Sequence, residues 1–202
     1  MISQFLHIFL DPRTLIMTLG AFGVIAVIFM ETGLFFGFFF PGDSLLFLAG
    51  FFASLHYLPL WSLLIGCFVA AVVGDSLGYA IGRKIGPALF TREDSMLFNR
   101  KHISRAEHFY EKHGKKTIIL ARFIPIIRTF APVVAGIGNM RYKTFISYNI
   151  IGGFVWTWAV LLFGYAFGSL IPNPDRYIYP VVLIIILVSA APALWEIFKR
   201  RG

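Results

Sequence analysis

Long apolar segments separated by short polar connections occupy most of this chain. They run approximately over residues 15–40, 45–55, 60–81, 117–139, 145–170 and 179–198. A helix needs about 20 apolar residues to cross a bilayer. The 45–55 segment is too short for that, and proline and arginine interrupt the 117–139 segment. The pattern therefore predicts an all-α polytopic membrane protein in which two of the apolar segments are not simple spans.

The composition supports a membrane protein and limits its organisation. Of 202 residues, 58% are hydrophobic, and the mean hydropathy is +0.77, which is not typical of a soluble domain. We expect one membrane domain over residues 1–202, because the spans leave no room for a separate soluble domain. The chain has a single cysteine, Cys67, which excludes an internal disulfide and a cysteine-based metal site. No metal or other cofactor is expected.

The basic residues predict which side of the membrane each connection faces. Nine of the 18 lysines and arginines lie within 83–116, and three more lie at 199–201. Such clusters beside apolar spans are typical of cytoplasmic loops and attract anionic lipid headgroups. The region 83–116 is therefore predicted to be a basic cytoplasmic loop with a short surface helix. No aromatic–basic platform accompanies the charge, so nucleic acid is not an expected partner.

Charge also predicts the path of the second half, residues 117–170. If both basic clusters are cytoplasmic, an even number of crossings must separate them. The 145–170 segment and a C-terminal transmembrane helix at 179–198 supply two crossings. The 117–139 segment must then enter and leave on the same side, as a re-entrant hairpin with its tip at 125–132.

The first half, about residues 15–82, has the same organisation in the opposite orientation. A crossing segment is followed by a re-entrant segment whose tip is the Pro-Gly-Asp sequence at 41–43, and the 60–81 segment returns to the cytoplasm. The sequence thus predicts an inverted repeat of a re-entrant hairpin plus a transmembrane helix, with flanking transmembrane helices. Discontinuous helices that meet at mid-membrane are a recurring transporter architecture.

Four ionisable residues stand out within or at the break between apolar segments: Glu31, Asp43, Arg122 and Arg128. Each would cost roughly 2.5–3.5 kcal/mol at the bilayer centre, which favours a binding site over a simple anchor. Arginine binds phosphate oxygens bidentately and keeps its charge when buried, so the two arginines are candidate phosphate ligands. Burial disfavours an ionised carboxylate whereas a nearby arginine favours it, so Glu31 and Asp43 are candidates for proton coupling or gating. A purely structural ion pair is the alternative.

Two further residues are candidate accessory groups. Asp75 and Tyr79 lie four residues apart, on one face of a predicted helix. Asp75 has two open interpretations, as part of the polar site or as a partner of Arg83. By contrast, Asn149 and Trp156 are interpreted as helix-contact and interfacial residues.

Glycines recur at four-residue spacing in two of the long segments. They lie at positions 74, 78, 82 and 86, and again at 164 and 168. Small residues at this spacing let two helices approach closely in a membrane. We interpret both sets as helix-packing positions.

The chain resembles the DedA family, whose core is also called the SNARE-associated or VTT domain. The sequences that carry the resemblance are Glu-Thr-Gly at 31–33, Phe-Pro-Gly-Asp-Ser-Leu-Leu at 40–46, Gly-Asp-Ser-Leu-Gly-Tyr at 74–79, Ala-Arg-Phe-Ile-Pro at 121–125 and Arg-Thr-Phe-Ala-Pro at 128–132. Together they make the likeness specific, and it covers roughly residues 15–198.

The resemblance implies a multi-pass protein of the bacterial inner membrane. Members resemble flippases of polyprenyl phosphate, and the implied cargo is undecaprenyl phosphate, the lipid carrier of envelope polysaccharide synthesis, with dependence on the proton-motive force. More distant eukaryotic relatives are lipid scramblases. The family's functional acidic pair falls on Glu31 and Asp43, and its paired arginines fall on Arg122 and Arg128.

Other functions compete with this one. The same charges suit a proton-coupled transporter of a small soluble ion, a general phospholipid scramblase or a non-transporting assembly factor. An enzyme is not expected, because a lipid phosphatase would need acid–base groups at the site, and the histidines are His7, His56 and three in the basic loop. The expected partners are a lipid phosphate and membrane lipids, and homo-oligomerisation is left open.

Overall fold

The computed structural model describes residues 12–33, 42–90, 122 and 125–171. Within these ranges the chain is helical and contains no strand. The helices are α1 (Pro12–Gly33), α2 (Gly42–Ser54), α3 (Leu60–Phe90), α4 (Pro125–Ile137) and α5 (Tyr142–Leu170). The predicted all-α class is confirmed for this part of the chain. Pro41, most of the basic loop and the predicted helix at 179–198 lie outside the described residues.

Two of these helices are long and apolar enough to cross a membrane. They are α3, over Leu60–Lys84, and α5, over Tyr142–Leu170. The other described helices are shorter: α2 and α4 have 13 residues each, and α1 is divided at Gly20. Gly20 has a φ of 59°, which breaks the helix without strain because glycine lacks a Cβ. Each short helix, α2 and α4, is followed by a long one.

Proline has two different effects in α4. Pro125 is the first residue of the helix, where its missing N–H is not needed. Pro132 lies inside the helix, which continues to Ile137. The expectation that Pro132 interrupts the helix is therefore wrong, because the flanking turns keep the helical path although one backbone hydrogen bond is lost. The long helices also extend past their predicted limits, α3 to Phe90 and α5 back to Tyr142.

Both short helices end in the same cap. After α2, the N–H of His56 donates to the Ala53 carbonyl and that of Tyr57 to the Phe52 carbonyl, each at 3.1 Å. After α4, Asn139 and Met140 donate to carbonyls three and five residues back in the same way. His56 and Asn139 have positive φ values of 63° and 49°. These are Schellman motifs with a non-glycine residue in the left-handed position.

The chain divides into two compact units. In its described part, the first unit holds α1 up to Ile25, all of α2, the start of α3 up to Leu64 and the end of α5 from Ala159. The second unit holds the rest of α1 from Ala26, α3 from Ile65, all of α4 and α5 up to Trp158.

In the first unit, α2 packs against the end of α5 through glycines. A Cβ added at Gly50 would collide with the backbone carbonyl of Leu161, and one added at Gly164 would collide with that of Phe47. Each glycine therefore faces the backbone of the other helix. The predicted close packing at Gly164 is confirmed.

In the second unit, α4 packs against α3 in the same reciprocal way. A Cβ at Gly136 would collide with the Tyr79 carbonyl, and one at Gly82 would collide with the Val133 carbonyl. The last turn of α1 also lies against α3, because a Cβ at Gly74 would collide with the side chain of Thr32. These contacts set the positions of the polar residues described next.

Candidate functional site

Two buried ion pairs lie in the second unit. Arg122 donates from Nη2 to Oδ2 of Asp75, and Arg128 donates from Nη2 to Oε1 of Glu31. None of the four residues is more than 4% exposed. Burying a charge without a partner costs several kcal/mol, so each guanidinium needs a neighbouring anion. Counted over the residues that the structure describes here, two cations and two anions make these pairs formally neutral.

Arg122 lies between α3 and α5. Its Nη2 also donates to Oδ1 of Asn149, whose Nδ2 in turn donates to the Val72 carbonyl at 3.0 Å. This second bond fixes the amide so that its oxygen faces the guanidinium. Gly153 leaves room beside it, since a Cβ there would lie 3.5 Å from Nη2. Residues of both helices therefore bind the same nitrogen of Arg122, Nη2.

The rest of the Arg122 guanidinium is available to a ligand. Its Nε and Nη1, and Oδ1 of Asp75, are buried and make no hydrogen bond within the ranges that the structure describes. Leaving a buried donor unsatisfied costs about 1–3 kcal/mol. A phosphate oxygen accepting from these nitrogens would relieve that cost, and phosphate matches the guanidinium in shape and charge.

Arg128 lies in the opening turn of α4. Its Cζ is 4.5 Å from the ring centroid of Trp156 on α5, a cation–π contact. The first backbone N–H groups of a helix have no acceptor within the helix, and the helix dipole is positive at this end. The start of α4 therefore adds a second feature that favours an anion next to the guanidinium of Arg128.

Close packing between α1 and α3 positions Glu31. Thr32 lies against Gly74, and its Oγ1 donates to the Ile28 carbonyl at 2.9 Å, which keeps the side chain inside the helix contact. Gly74 immediately precedes Asp75. The end of α1 is therefore held against the part of α3 that carries the other buried carboxylate.

The remaining predicted site residues lie elsewhere. Asp43 is in the first turn of α2, in the first unit, and is partly buried. Tyr79 is buried on α3, where its hydroxyl donates to the Met140 carbonyl and accepts from Arg83. Of the two interpretations of Asp75, the structure favours the polar site, because Asp75 pairs with Arg122 and Arg83 bonds to Tyr79.

Two residues of α5 contact the arginines, which the sequence did not predict. Asn149 bonds to Arg122 and to the Val72 carbonyl of α3, and Trp156 is 1% exposed beside Arg128, so both agree with the helix-contact interpretation. A polar amide in the middle of an apolar span was the available signal for Asn149. No comparable signal marked Trp156. Among the described residues, no group of three His, Cys, Asp or Glu is placed to bind a metal.

Comparisons with known proteins identify the family. The VTT domain family matches residues 40–166, and Protein DedA of Escherichia coli K12 is 45% identical over 177 residues, covering 87% of this chain and 80% of the relative. The chain belongs to the DedA family. The resemblance found in the sequence is confirmed, and the matched region includes Asp75, Arg122 and Arg128, whereas Glu31 precedes it.

Other DedA-family relatives are named as membrane proteins. Membrane protein Rv0364 of Mycobacterium tuberculosis H37Rv is 43% identical over 193 residues, covering 92% of this chain and 84% of the relative. Inner membrane protein YghB of Escherichia coli K12 is 32% identical over 184 residues, covering 90% and 81%. No solved structure matches the chain. Together with the two membrane-length helices, these names show that the chain is a DedA-family membrane protein.

Proposed function

We propose that this DedA-family protein is a transporter, not an enzyme, that moves a polyprenyl phosphate across the bacterial inner membrane. Undecaprenyl phosphate, used in envelope polysaccharide synthesis, is the proposed cargo. Arg122 and Arg128 bind its phosphate. The observation that carries this proposal is the buried guanidinium of Arg122, whose Nε and Nη1 have no acceptor within the described residues.

Charge balance predicts that phosphate binding at this site is coupled to proton uptake. The empty cluster is neutral because each arginine is paired with a carboxylate. A phosphate dianion bound to both arginines would leave two carboxylate charges uncompensated in a low-dielectric site. Protonation of Glu31 and Asp75 restores neutrality. Proton uptake then accompanies phosphate binding, and Asp43 remains the second gating residue that the family resemblance implies.

The lipid-facing surface beside the site suits a lipid cargo. Along α3, large apolar residues are exposed at four-residue intervals, at positions 61, 65, 69, 73, 77 and 81. Such a stripe on a membrane-length helix contacts hydrocarbon. An isoprenoid tail can remain against this surface while only the headgroup enters the polar cluster. A soluble ion would need no such surface.

Transport in proteoliposomes tests the role of the arginines. We expect Arg122→Gln to lower translocation of labelled undecaprenyl phosphate by about 100-fold or more, because a desolvated charged contact is worth roughly 2–5 kcal/mol. Arg141→Gln is the matched control, since Arg141 is an exposed arginine of the same unit. It should change the rate less than about threefold, as exposed charges contribute little. Wild-type transport by a folded Arg122→Gln protein would refute the proposal.

The same vesicles separate the competing functions. Flux of a soluble anion without lipid movement would favour a small-ion transporter, and equal movement of all phospholipids would favour a scramblase. Movement of neither would favour an assembly factor. For proton coupling, Glu31→Gln should change the pH dependence of transport, and an unchanged profile would eliminate Glu31 as a coupling group.

A further inference from the structure

A groove of about 450 Å³ lies in the second unit, along the end of α3 and beside the start of α5. Among the described residues, its lining combines cations with hydroxyl groups and includes no carboxylate; the lining residues are Ser76, Tyr79, Ala80, Arg83, Lys84 and Tyr142. The volume is within the usual range of ligand sites. Positive charge together with hydroxyl donors is the chemistry that recognises a phosphate group.

Arg83 is held in place at this groove. Its Nη1 donates to the Tyr79 hydroxyl at 3.2 Å, and that hydroxyl donates onward to the Met140 carbonyl. The Tyr79 ring stacks on Phe145 with centroids 4.6 Å apart, and its side chain is buried. Because the acceptor of Arg83 is rigid, the guanidinium loses little freedom when a ligand binds.

The groove lies at the basic end of the α3 span. Arg83 and Lys84 follow the exposed apolar residues of α3, and Arg141 and Lys143 flank Tyr142 at the start of α5; all four basic residues are exposed. Under the positive-inside rule, such a cluster lies at the cytoplasmic interface, where lipid phosphates are found. At the other end of the groove, Ser76 follows Asp75, the partner of Arg122. From Ser76 to Lys84 the groove follows α3 for about 12 Å at 1.5 Å per residue.

We propose that this groove is a docking site for the headgroup of a lipid phosphate monoester, which binds at Arg83 and Lys84 before it reaches Arg122. The transfer to Arg122 rests on the proposed function, but binding in the groove does not. The occupant is a lipid and not free phosphate, because the groove opens at membrane level on the helix that carries the exposed apolar stripe. Tyr79 is a positioning residue that orients Arg83.

Cysteine protection tests the docking site in the full chain. In a Cys67→Ala background in phosphatidylcholine nanodiscs, Ala80→Cys reports on the groove, and Ser147→Cys is the control, an exposed position of α5 in the same unit that neither lines the groove nor belongs to the apolar stripe. Farnesyl phosphate at about ten times its Kd should slow maleimide labelling of Ala80→Cys about tenfold. It should leave Ser147→Cys unchanged. Farnesol, which lacks the phosphate, should protect neither position.

Further variants separate this site from the buried arginines. Arg83→Gln with Lys84→Gln should abolish protection, whereas Arg122→Gln should leave it intact. Loss of protection only with Arg122→Gln would assign the phosphate to the buried site and overturn the docking proposal. Equal protection by inorganic phosphate would overturn the lipid assignment. Protection in the wild-type chain, combined with no translocation of undecaprenyl phosphate by that chain in proteoliposomes, would refute the proposed function and keep the docking site.

Tyr79→Phe tests the positioning role. It removes the hydroxyl that accepts from Arg83 while keeping the ring that stacks on Phe145. Losing one hydrogen bond of this kind should weaken the protection by farnesyl phosphate about three- to tenfold. The labelling rate of Ala80→Cys without ligand should not change. A change in that basal rate, with affinity unaltered, would show a structural role only.

Discussion

The two compact units use the same helix packing but differ in the side chains around it. In the first unit, α2 meets α5 through Gly50 and Gly164, and in the second, α4 meets α3 through Gly136 and Gly82. In both, each glycine faces a backbone carbonyl of the opposite helix. The two short helices also end in the same Schellman cap. The backbone arrangement of the glycine contacts is therefore the same in both units.

The difference lies in what surrounds the glycine contact. In the first unit Phe47 packs against Phe163 and Phe167, with centroids 5.6 and 5.7 Å apart. In the second unit the residues near the contact include both buried arginine–carboxylate pairs. The glycine contacts are a structural feature of both units, whereas these two buried ion pairs lie in the second unit. Variants in matched positions of the two units should separate the two contributions.

The largest effect is expected from removing one charge of a buried pair. Asp75→Asn leaves the Arg122 guanidinium buried and uncompensated, which should lower the free energy of unfolding by about 3–5 kcal/mol. Ser54→Ala is the counterpart in the first unit. It removes one neutral hydrogen bond, from Oγ to the Phe51 carbonyl at 2.7 Å, and should cost only about 0.5–1.5 kcal/mol. Unfolding in detergent, followed by circular dichroism, measures both.

A double variant sharpens this comparison. Asp75→Asn combined with Arg122→Met removes both charges and should recover much of the lost stability, since replacing a whole buried pair is often nearly neutral. Equal destabilisation by Asp75→Asn and Ser54→Ala would contradict the distinction between the units.

A smaller effect is expected at the shared glycine contacts. Gly82→Ala and Gly164→Ala each place a methyl group on a backbone carbonyl, and should destabilise by about 1–3 kcal/mol. Gly78→Ala is the control, because its Cβ would lie 3.5 Å from Pro132 and 3.6 Å from Val133 side-chain atoms, which is ordinary contact. That variant should be neutral or slightly stabilising. If only one of the two contacts responds to alanine, the units do not share a packing device.

The smallest effects concern the aromatic contacts. A double-mutant cycle with Trp156→Leu and Arg128→Met should give a coupling free energy of about 0.5–2 kcal/mol for the cation–π contact. The equivalent cycle in the first unit, Phe47→Leu with Phe163→Leu, should give about 0.5 kcal/mol, because Phe163 is largely exposed. A coupling of zero between Arg128 and Trp156 would show that the ring merely fills space.

Helix class and approximate positions were predictable because a membrane requires long apolar segments. The ends were less predictable: the start of α4 at Pro125 follows from proline chemistry, whereas the continuation of α4 through Pro132 to Ile137 does not. The re-entrant paths and the inverted orientation of the halves remain predictions. The sequence contains the right elements for them, two short helices each followed by a long one.

A charged residue in an apolar segment was enough to identify most of the site residues. The sequence did not show which of these charges pair with each other. Arg122, Arg128 and Glu31 were identified because each is costly in hydrocarbon. Their partners depend on contacts between helices, such as Arg122 with Asp75, 47 residues away in the chain. No local pattern specifies such a contact. Local patterns likewise did not place Trp156 beneath Arg128, since tryptophan is as common at membrane interfaces as in buried contacts.

The span between Glu31 and Arg128 has a consequence for biogenesis. The two residues are 97 positions apart, so α1 is synthesised well before the guanidinium of Arg128. At about 5–20 residues per second, the interval is on the order of ten seconds. During that time the carboxylate must stay protonated or near the translocon, since its insertion alone is unfavourable. A nascent chain that ends before residue 128 is left with an unmatched acid, which makes it a natural substrate for membrane quality control.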